Sequence, residues 1–405
     1  MHARANQPHR PSSALAEGAS SARDATRDAR VGGRPLLGGL ALVSAGVAVG
    51  AQADGELAQA ALAGAMVLPL MWLAGLVQVG ATSRGTRIAA WAWLWLILAG
   101  LAGFGVLLVA QAQFGASGER LADDVPPADW WPVLAAFVLS GAGLLLGILL
   151  AASGGWAGAV RRLGGHVDRH GAAHALGSIG LIVFCVVSFA PLAALGGEAP
   201  FLLILAEDPE ALSGERADTG ELLDTYYQLA WTVPLAFLLV GVPVGRGLRA
   251  GLARLGIRPL RVPDVPLALG LTLALFLVGT AVDAGVAQIW DLFGWPATNA
   301  DLVDTLFSAA LTPVGAVASA VAAGLGEELL VRGALQPRFG WFLPNLAFVA
   351  GHAYQYGPDA LLSVFALGSI LAWIRARWST SVAIVAHILY DLLLFMGTAL
   401  AWPGF

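Results

Sequence analysis

The chain contains no lysine, a single cysteine and few charges of any kind. Charged residues make up 12% of its 405 positions, against roughly 25% in soluble domains, and that shortage excludes an ordinary water-soluble globular enzyme. One cysteine, Cys185, excludes an intramolecular disulfide framework and a Cys-based zinc site. Its place inside an apolar run marks it as a small core residue. The 51 glycines follow no G-x-y period, so collagen is excluded, and long apolar runs exclude a disordered chain. What remains is a sequence that is 58% hydrophobic with a mean hydropathy of +0.74, whose solvent along most of its length is lipid. No nucleic-acid partner is expected for it.

Residues 1–34 carry six arginines among Ser, Ala and Pro without apolar periodicity, and are expected to form a disordered basic cytoplasmic tail. Leu36 to Ala53 is expected to be an uncleaved span, because the tail before it is too long for a signal-peptide n-region. Runs long enough to cross about 30 Å of hydrocarbon follow at Ala60–Ala81, Ile88–Ala112, Trp131–Ala152, Ala175–Gly196, Leu229–Gly245, Pro266–Ala287 and Leu306–Gly326. Three tighter runs, Phe342–Tyr356, Leu361–Ile374 and Ser381–Trp402, complete a count of about eleven. The expected fold class is therefore all-α, a polytopic transmembrane bundle. The region 35–305 shows no recognised family pattern, and the chemistry-bearing segment is 306–405.

Loop charge sets the orientation. Arg84 and Arg87, Arg161, Arg162 and Arg169, and Arg246, Arg249, Arg254, Arg258 and Arg261 fall on one side with the tail. Asp54 and Glu56, the acids between Glu119 and Asp129, those between Glu198 and Asp224, and Asp291, Asp301 and Asp304 fall on the other. The positive-inside rule then places the N-terminus in the cytoplasm of a cell whose plasma membrane holds the protein. Counting Phe342–Tyr356 as a crossing keeps Arg375 and Arg377 on the cytoplasmic side.

Five of the seven histidines lie in the polar tail or a cytoplasmic loop, leaving His352 and His387 alone in apolar surroundings. The same filter applied to charges leaves Asp283, Glu327, Glu328, Arg332 and Asp391. Each costs roughly 2.5 to 3.5 kcal/mol to insert, so each needs a partner, a wet cavity or a chemical role. On a helix from about Pro313 to Pro337, Glu328 and Arg332 are i, i+4 neighbours that can neutralise each other. Glu327, about 100° round that helix, is left as a candidate base. His387 and Asp391 share a face at the same spacing, as do Phe348 and His352. Counted from the ends of their runs, Glu327, His352 and His387 all lie roughly 15 to 18 Å in from cytoplasmic anchors, so they can meet at one level. Asp283, near the outer end of its span, reads as interfacial.

The residues Glu327-Glu328-Leu329-Leu330-Val331-Arg332 read EExxxR, Phe348 to His352 reads FxxxH, and His387 to Asp391 reads HxxxD. In this order on successive apolar helices they resemble the CPBP family of intramembrane proteases, which includes CAAX-processing endopeptidases and bacteriocin-processing proteins. The resemblance covers roughly Leu311 to Leu400. It implies that Glu327 and His352 activate a water for peptide hydrolysis, that Glu328 and Arg332 form a structural ion pair, and that His387 and Asp391 stabilise the oxyanion. The pattern's last position takes Asn or Asp; ionised Asp accepts but does not donate, so the role of Asp391 stays open. Glu327, His352, His387 and Asp391 would also suit zinc by ligand type, although no HExxH motif is present, and a metal is left undecided. The implied partners are the bilayer and a membrane-associated or prenylated CAAX-like protein, or a leader peptide. A proton- or ion-coupled transporter using the same cluster is the main alternative, and an immunity or structural protein without chemistry is a third.

Overall fold

In a computed structural model, the structure describes residues 33, 35–53, 55–80, 83–115, 130–165, 167, 171–208 and 220–400. The expected basic tail, the acidic stretch from Glu119 to Asp129, Arg169 and most of the acidic loop after Asp208 lie outside the described residues. The described residues are helical without strands: α1 Pro35–Gly50, α2 Glu56–Gly80, α3 Arg84–Phe114, α4 Trp131–Ser153, α5 Trp156–Arg162, α6 Ala172–Ala194, α7 Pro200–Glu207 and α8 Gly220–Leu239. There follow α9 Leu248–Leu255, α10 Asp264–Phe293, α11 Ala300–Leu306, α12 Pro313–Phe339, α13 Phe342–Gly351, α14 Pro358–Arg377 and α15 Thr380–Ala399. The all-α polytopic bundle expected from composition is what forms.

The span count needs refinement. Among the described residues eight helices are long and apolar enough to cross: α2, α3, α4, α6, α10, α12, α14 and α15. The remaining three expected spans are short apolar helices, Pro35–Gly50, Gln228–Leu239 within α8, and α13. Backbone punctuation explains two of the shortened ones. α8 ends in a turn held at Gly241, whose φ of 94° suits glycine alone, and α13 ends at Gly351 where residues 352–355 form turns. The helix expected from about Pro313 starts there, seven residues into the apolar run that opens at Leu306. A 3-10 turn, Ser308–Leu311, precedes it, and the helix begins at Pro313 with the Thr312 hydroxyl accepting from Gly315 N at 3.0 Å.

Helices in lipid associate through close packing and not through hydrophobic exclusion, so small residues sit where they touch. Gly143 of α4 is one such point, where a Cβ would stand 2.8 Å from Val186 Cγ1 of α6. The other face of α4 presents Phe137, Val138, Leu145 and Leu149, which are exposed in the protein and so meet lipid.

Although α13 has only ten residues, a rise of about 15 Å, the segment containing it joins the two ends of the bundle. Gly340 packs against Gly164 and Gly165, beside Arg161 and Arg162, while Gly357 N bonds to Thr298 Oγ1 beside Gly197. Gly256, next to Arg254 and Arg258, lies against the guanidinium of Arg375. Arginine-bearing loops thus gather at one end, and the Gly197, Thr298 and Gly357 turns at the other.

Candidate active site

Three helices of the last quarter build the site. α12 carries Glu327, Glu328 and Arg332, α13 delivers His352 one residue past its end, and α15 carries His387 and Asp391. α12 and α15 can approach closely because Gly324 faces α15. A Cβ there would come within 2.6 Å of Ile388 Cγ1 and 3.0 Å of its backbone N.

From Glu328 to Leu335 α12 is a π-helix, a form found mainly as short insertions at functional sites. It carries the ion pair on its inner face. Glu328 and Arg332 are both fully buried, with Arg332 Nη1 3.2 Å from Glu328 Oε1. Arg332 Nη2 donates to Gly368 O at 3.0 Å and to Asn345 Oδ1 at 3.4 Å, and its guanidinium lies 4.6 Å over the Phe348 ring. Asn345 is itself fixed, donating to Phe365 O and Ser369 Oγ at 3.1 Å each. A buried charge pair costs desolvation that such partners offset, here only in part: Glu328 Oε2 and Arg332 Nε are buried with no hydrogen-bond partner among the described residues.

Glu327 turns the other way, with 31% of its side chain exposed. Its Oε1 lies 4.0 Å from His352 Nε2 and its Oε2 3.9 Å from His387 Nε2. Neither separation is a direct hydrogen bond. Each does allow a single water oxygen to stand about 2.8 Å from both groups. His352 Nδ1 donates to Phe348 O at 2.9 Å in the neutral tautomer, which leaves Nε2 as the acceptor facing Glu327. Phe348 packs edge-on against the His352 ring at 4.7 Å, and Tyr356 stacks on it at 6.0 Å and 11°.

His387 Nδ1 donates to Glu328 Oε1 at 3.0 Å, and its Nε2 lies 3.4 Å from Asp391 Oδ2. The structure therefore brings Glu327, His352, His387 and Asp391 to one place. Asp283 is not with them; it accepts from Ser363 Oγ on α14. Two contacts were not foreseen from the sequence. Glu328 serves His387 as well as Arg332, and Asn345 holds the far side of Arg332. A filter that retained uncharged polar residues inside apolar runs would have found Asn345; nothing in the spacing pairs Glu328 with His387.

A metal was left undecided from the sequence. Tetrahedral zinc with bonds of 2.0 to 2.2 Å sets its donors about 3.3 Å apart. The two separations from Glu327 are wider, and among the described residues no group of three or more His, Cys, Asp or Glu is arranged to hold a metal ion. The residues as placed do not form a ready metal cage.

Residues 309–393 match a family model described as type II CAAX prenyl endopeptidase Rce1-like. No curated protein and no solved structure matches the chain. The matched segment contains the EExxxR, FxxxH and HxxxD residues and leaves the first three quarters of the chain unmatched. This segment is thus similar to the CPBP/CAAX protease family, whose described activity is that of an endopeptidase, and the match supports a protease reading of the site.

Proposed function

We propose that the protein is an intramembrane endopeptidase that cuts a membrane-associated, CAAX-type protein, with Glu327 and His352 activating the attacking water. The observation that carries this reading is the pair of gaps of 4.0 and 3.9 Å separating Glu327 from His352 and His387. A water in the first gap loses a proton to Glu327 as it attacks the scissile carbonyl carbon, forming the C–O bond and placing negative charge on the carbonyl oxygen. His387 in its imidazolium form donates from Nε2 to that oxyanion, while Nδ1–H stays on Glu328. The C–N bond then breaks, and the leaving amine takes the proton from Glu327 directly or through His352 Nε2. Asp391 Oδ2 stands 3.4 Å from His387 Nε2, beside the place where the oxyanion forms. Glu328 positions His387 and neutralises Arg332, so it acts through other residues. The family match supports hydrolysis over ion relay by the same cluster.

The loop charges support a cytoplasmic N-terminus and a plasma-membrane location, with the site opening toward the arginine-rich end. The substrate class follows from the described activity of the family. The test compares the membrane peptidome of cells carrying the wild-type protein with that of cells carrying Glu327→Gln. C-terminal fragments present only with the wild type support the reading, and identical peptidomes refute it.

A further inference from the structure

Where α6 passes the turn that carries His352, polar groups are buried in apolar surroundings. Pro191 lies inside α6, and a proline has no N–H to give the carbonyl four residues back, so Val187 O loses its regular helical donor. Val187 is fully buried. Ser188, also fully buried, has a hydroxyl with no hydrogen-bond partner among the described residues. The Tyr354 hydroxyl is buried and unpaired in the same way. Gly105 of α3 marks where these groups meet. Its Cβ would stand 2.7 Å from Pro191 Cγ and 3.9 Å from Tyr354 Oη, and Ser188 is one helical turn before Pro191. The Tyr354 ring is fixed against Phe104 of α3 at 5.9 Å and Phe201 of α7 at 6.0 Å, so its hydroxyl is held in place. Ser188 acts electrostatically on Tyr354, although the two hydroxyls are not at direct hydrogen-bond distance.

A buried hydroxyl without a partner is costly. A proline break in a membrane helix persists where neighbouring groups or ordered water satisfy the freed carbonyl again. The Ser188 hydroxyl has its own helix carbonyls within rotational reach. Tyr354 Oη, at the end of a clamped ring, has no such recourse. The set carries no charge and combines an acceptor with two hydroxyls, which suits a small neutral ligand that both donates and accepts. Buried waters make about three hydrogen bonds each, and one oxygen accounts for the whole set: it donates to Val187 O and Ser188 Oγ and accepts from Tyr354 Oη.

We propose that Val187 O, Ser188 Oγ and Tyr354 Oη bind an internal water that ties the proline break of α6 to the turn after α13. The bridge fastens backbone two residues from His352 to a helix outside the three that build the site.

Radiolytic hydroxyl-radical footprinting of the full chain in nanodiscs, read by mass spectrometry, tests this, because a bound water is the radical source beside a buried ring. Tyr354 should be oxidised at millisecond doses despite its burial. That oxidation should fall at least about twofold in Ser188→Ala, once the water loses one of its partners. Thermal midpoints give a second reading. Tyr354→Phe and Ser188→Ala should each lower the midpoint by about 1 to 3 °C, and the double variant should fall by less than the sum, because the first substitution already releases the water. A midpoint that rises in Tyr354→Phe, as it does when an unpaired hydroxyl leaves a dry site, overturns the proposal, and so does an unoxidised Tyr354. Non-additive midpoints without oxidation of Tyr354 assign a direct hydrogen bond between the two hydroxyls and overturn the water. The wild-type oxidation needs no variant, so the test stands if a substituted chain fails to fold.

Discussion

Oε1 of Glu328 lies 3.0 Å from Nδ1 of His387, and the same oxygen stands 3.2 Å from Arg332 Nη1. One buried carboxylate thus ties the ion pair of α12 to the histidine of α15. Glu328→Gln should destabilise the protein by about 3 to 5 kcal/mol, because it leaves the guanidinium of Arg332 buried without its charge partner. Abundance in membranes and the thermal midpoint of the extracted protein should both fall. An unchanged midpoint would show that the pair contributes little to stability.

Glu327→Gln should behave differently. Its side chain is partly exposed and makes no direct hydrogen bond to the buried His387 or Arg332, so abundance and midpoint should stay near wild-type levels. Cleavage should drop by at least about a hundredfold, since the base is gone and the shape remains. Measured turnover within a few-fold of wild type would sink the proposed mechanism.

Gly324→Ala tests the spacing between helices. Its Cβ meets backbone and Cγ1 of Ile388, and backbone cannot swing aside, so α12 and α15 must separate. Displacement of about 1 Å between Glu327 and His387 is expected to cost about a hundredfold in kcat/KM. Gly326→Ala is the control, because its Cβ meets only side-chain carbons at 3.5 and 3.7 Å; equal activity in the two variants would contradict the packing argument.

Asp391→Asn keeps the shape next to His387 and adds an N–H donor toward the oxyanion. Activity should persist within about tenfold, and a chelator should not remove it. Metal bound at one equivalent per chain and lost in both His352→Ala and His387→Ala would show instead that the four side chains close around an ion.

Epitope tags test orientation. Tags after Arg169 and after Arg258 should be protected from an external reagent in intact cells, and a tag near Glu215 should be reachable. The reverse pattern would turn the protein over in the membrane.

The helices were legible because hydrocarbon demands long apolar runs, and because Pro313 and Gly357-Pro358 punctuate them. The convergence of Glu327, His352 and His387 was legible through their common depth, which needs only topology and helical rise. Other features were not. The run Phe342–Tyr356 is mostly apolar, and hydropathy does not distinguish a full helix from α13 and the turns beyond it. The contact of Glu328 with His387 joins residues far apart in sequence, and no periodicity encodes which carboxylate oxygen meets which ring nitrogen. The π-helix from Glu328 to Leu335 has no composition signal at all, and with it went the true bearing of Arg332 toward Gly368 and Asn345.

The break after α13 also gives α6 and α7 a purpose. Unwound backbone at membrane depth survives only when protein clads it. Here the cladding comes from elsewhere in the sequence. Phe201 N donates to Tyr354 O at 3.0 Å, Cys185 of α6 packs with Ala347 and Ala350, and Leu192, Ala199 and Leu202 cover Val349 and Ala353. These helices act as insulation, a sleeve that keeps acyl chains away from the turn backbone around His352. A C-terminal segment stripped of that sleeve would present its hydrolytic machinery to bare hydrocarbon, where neither its turns nor its water could persist.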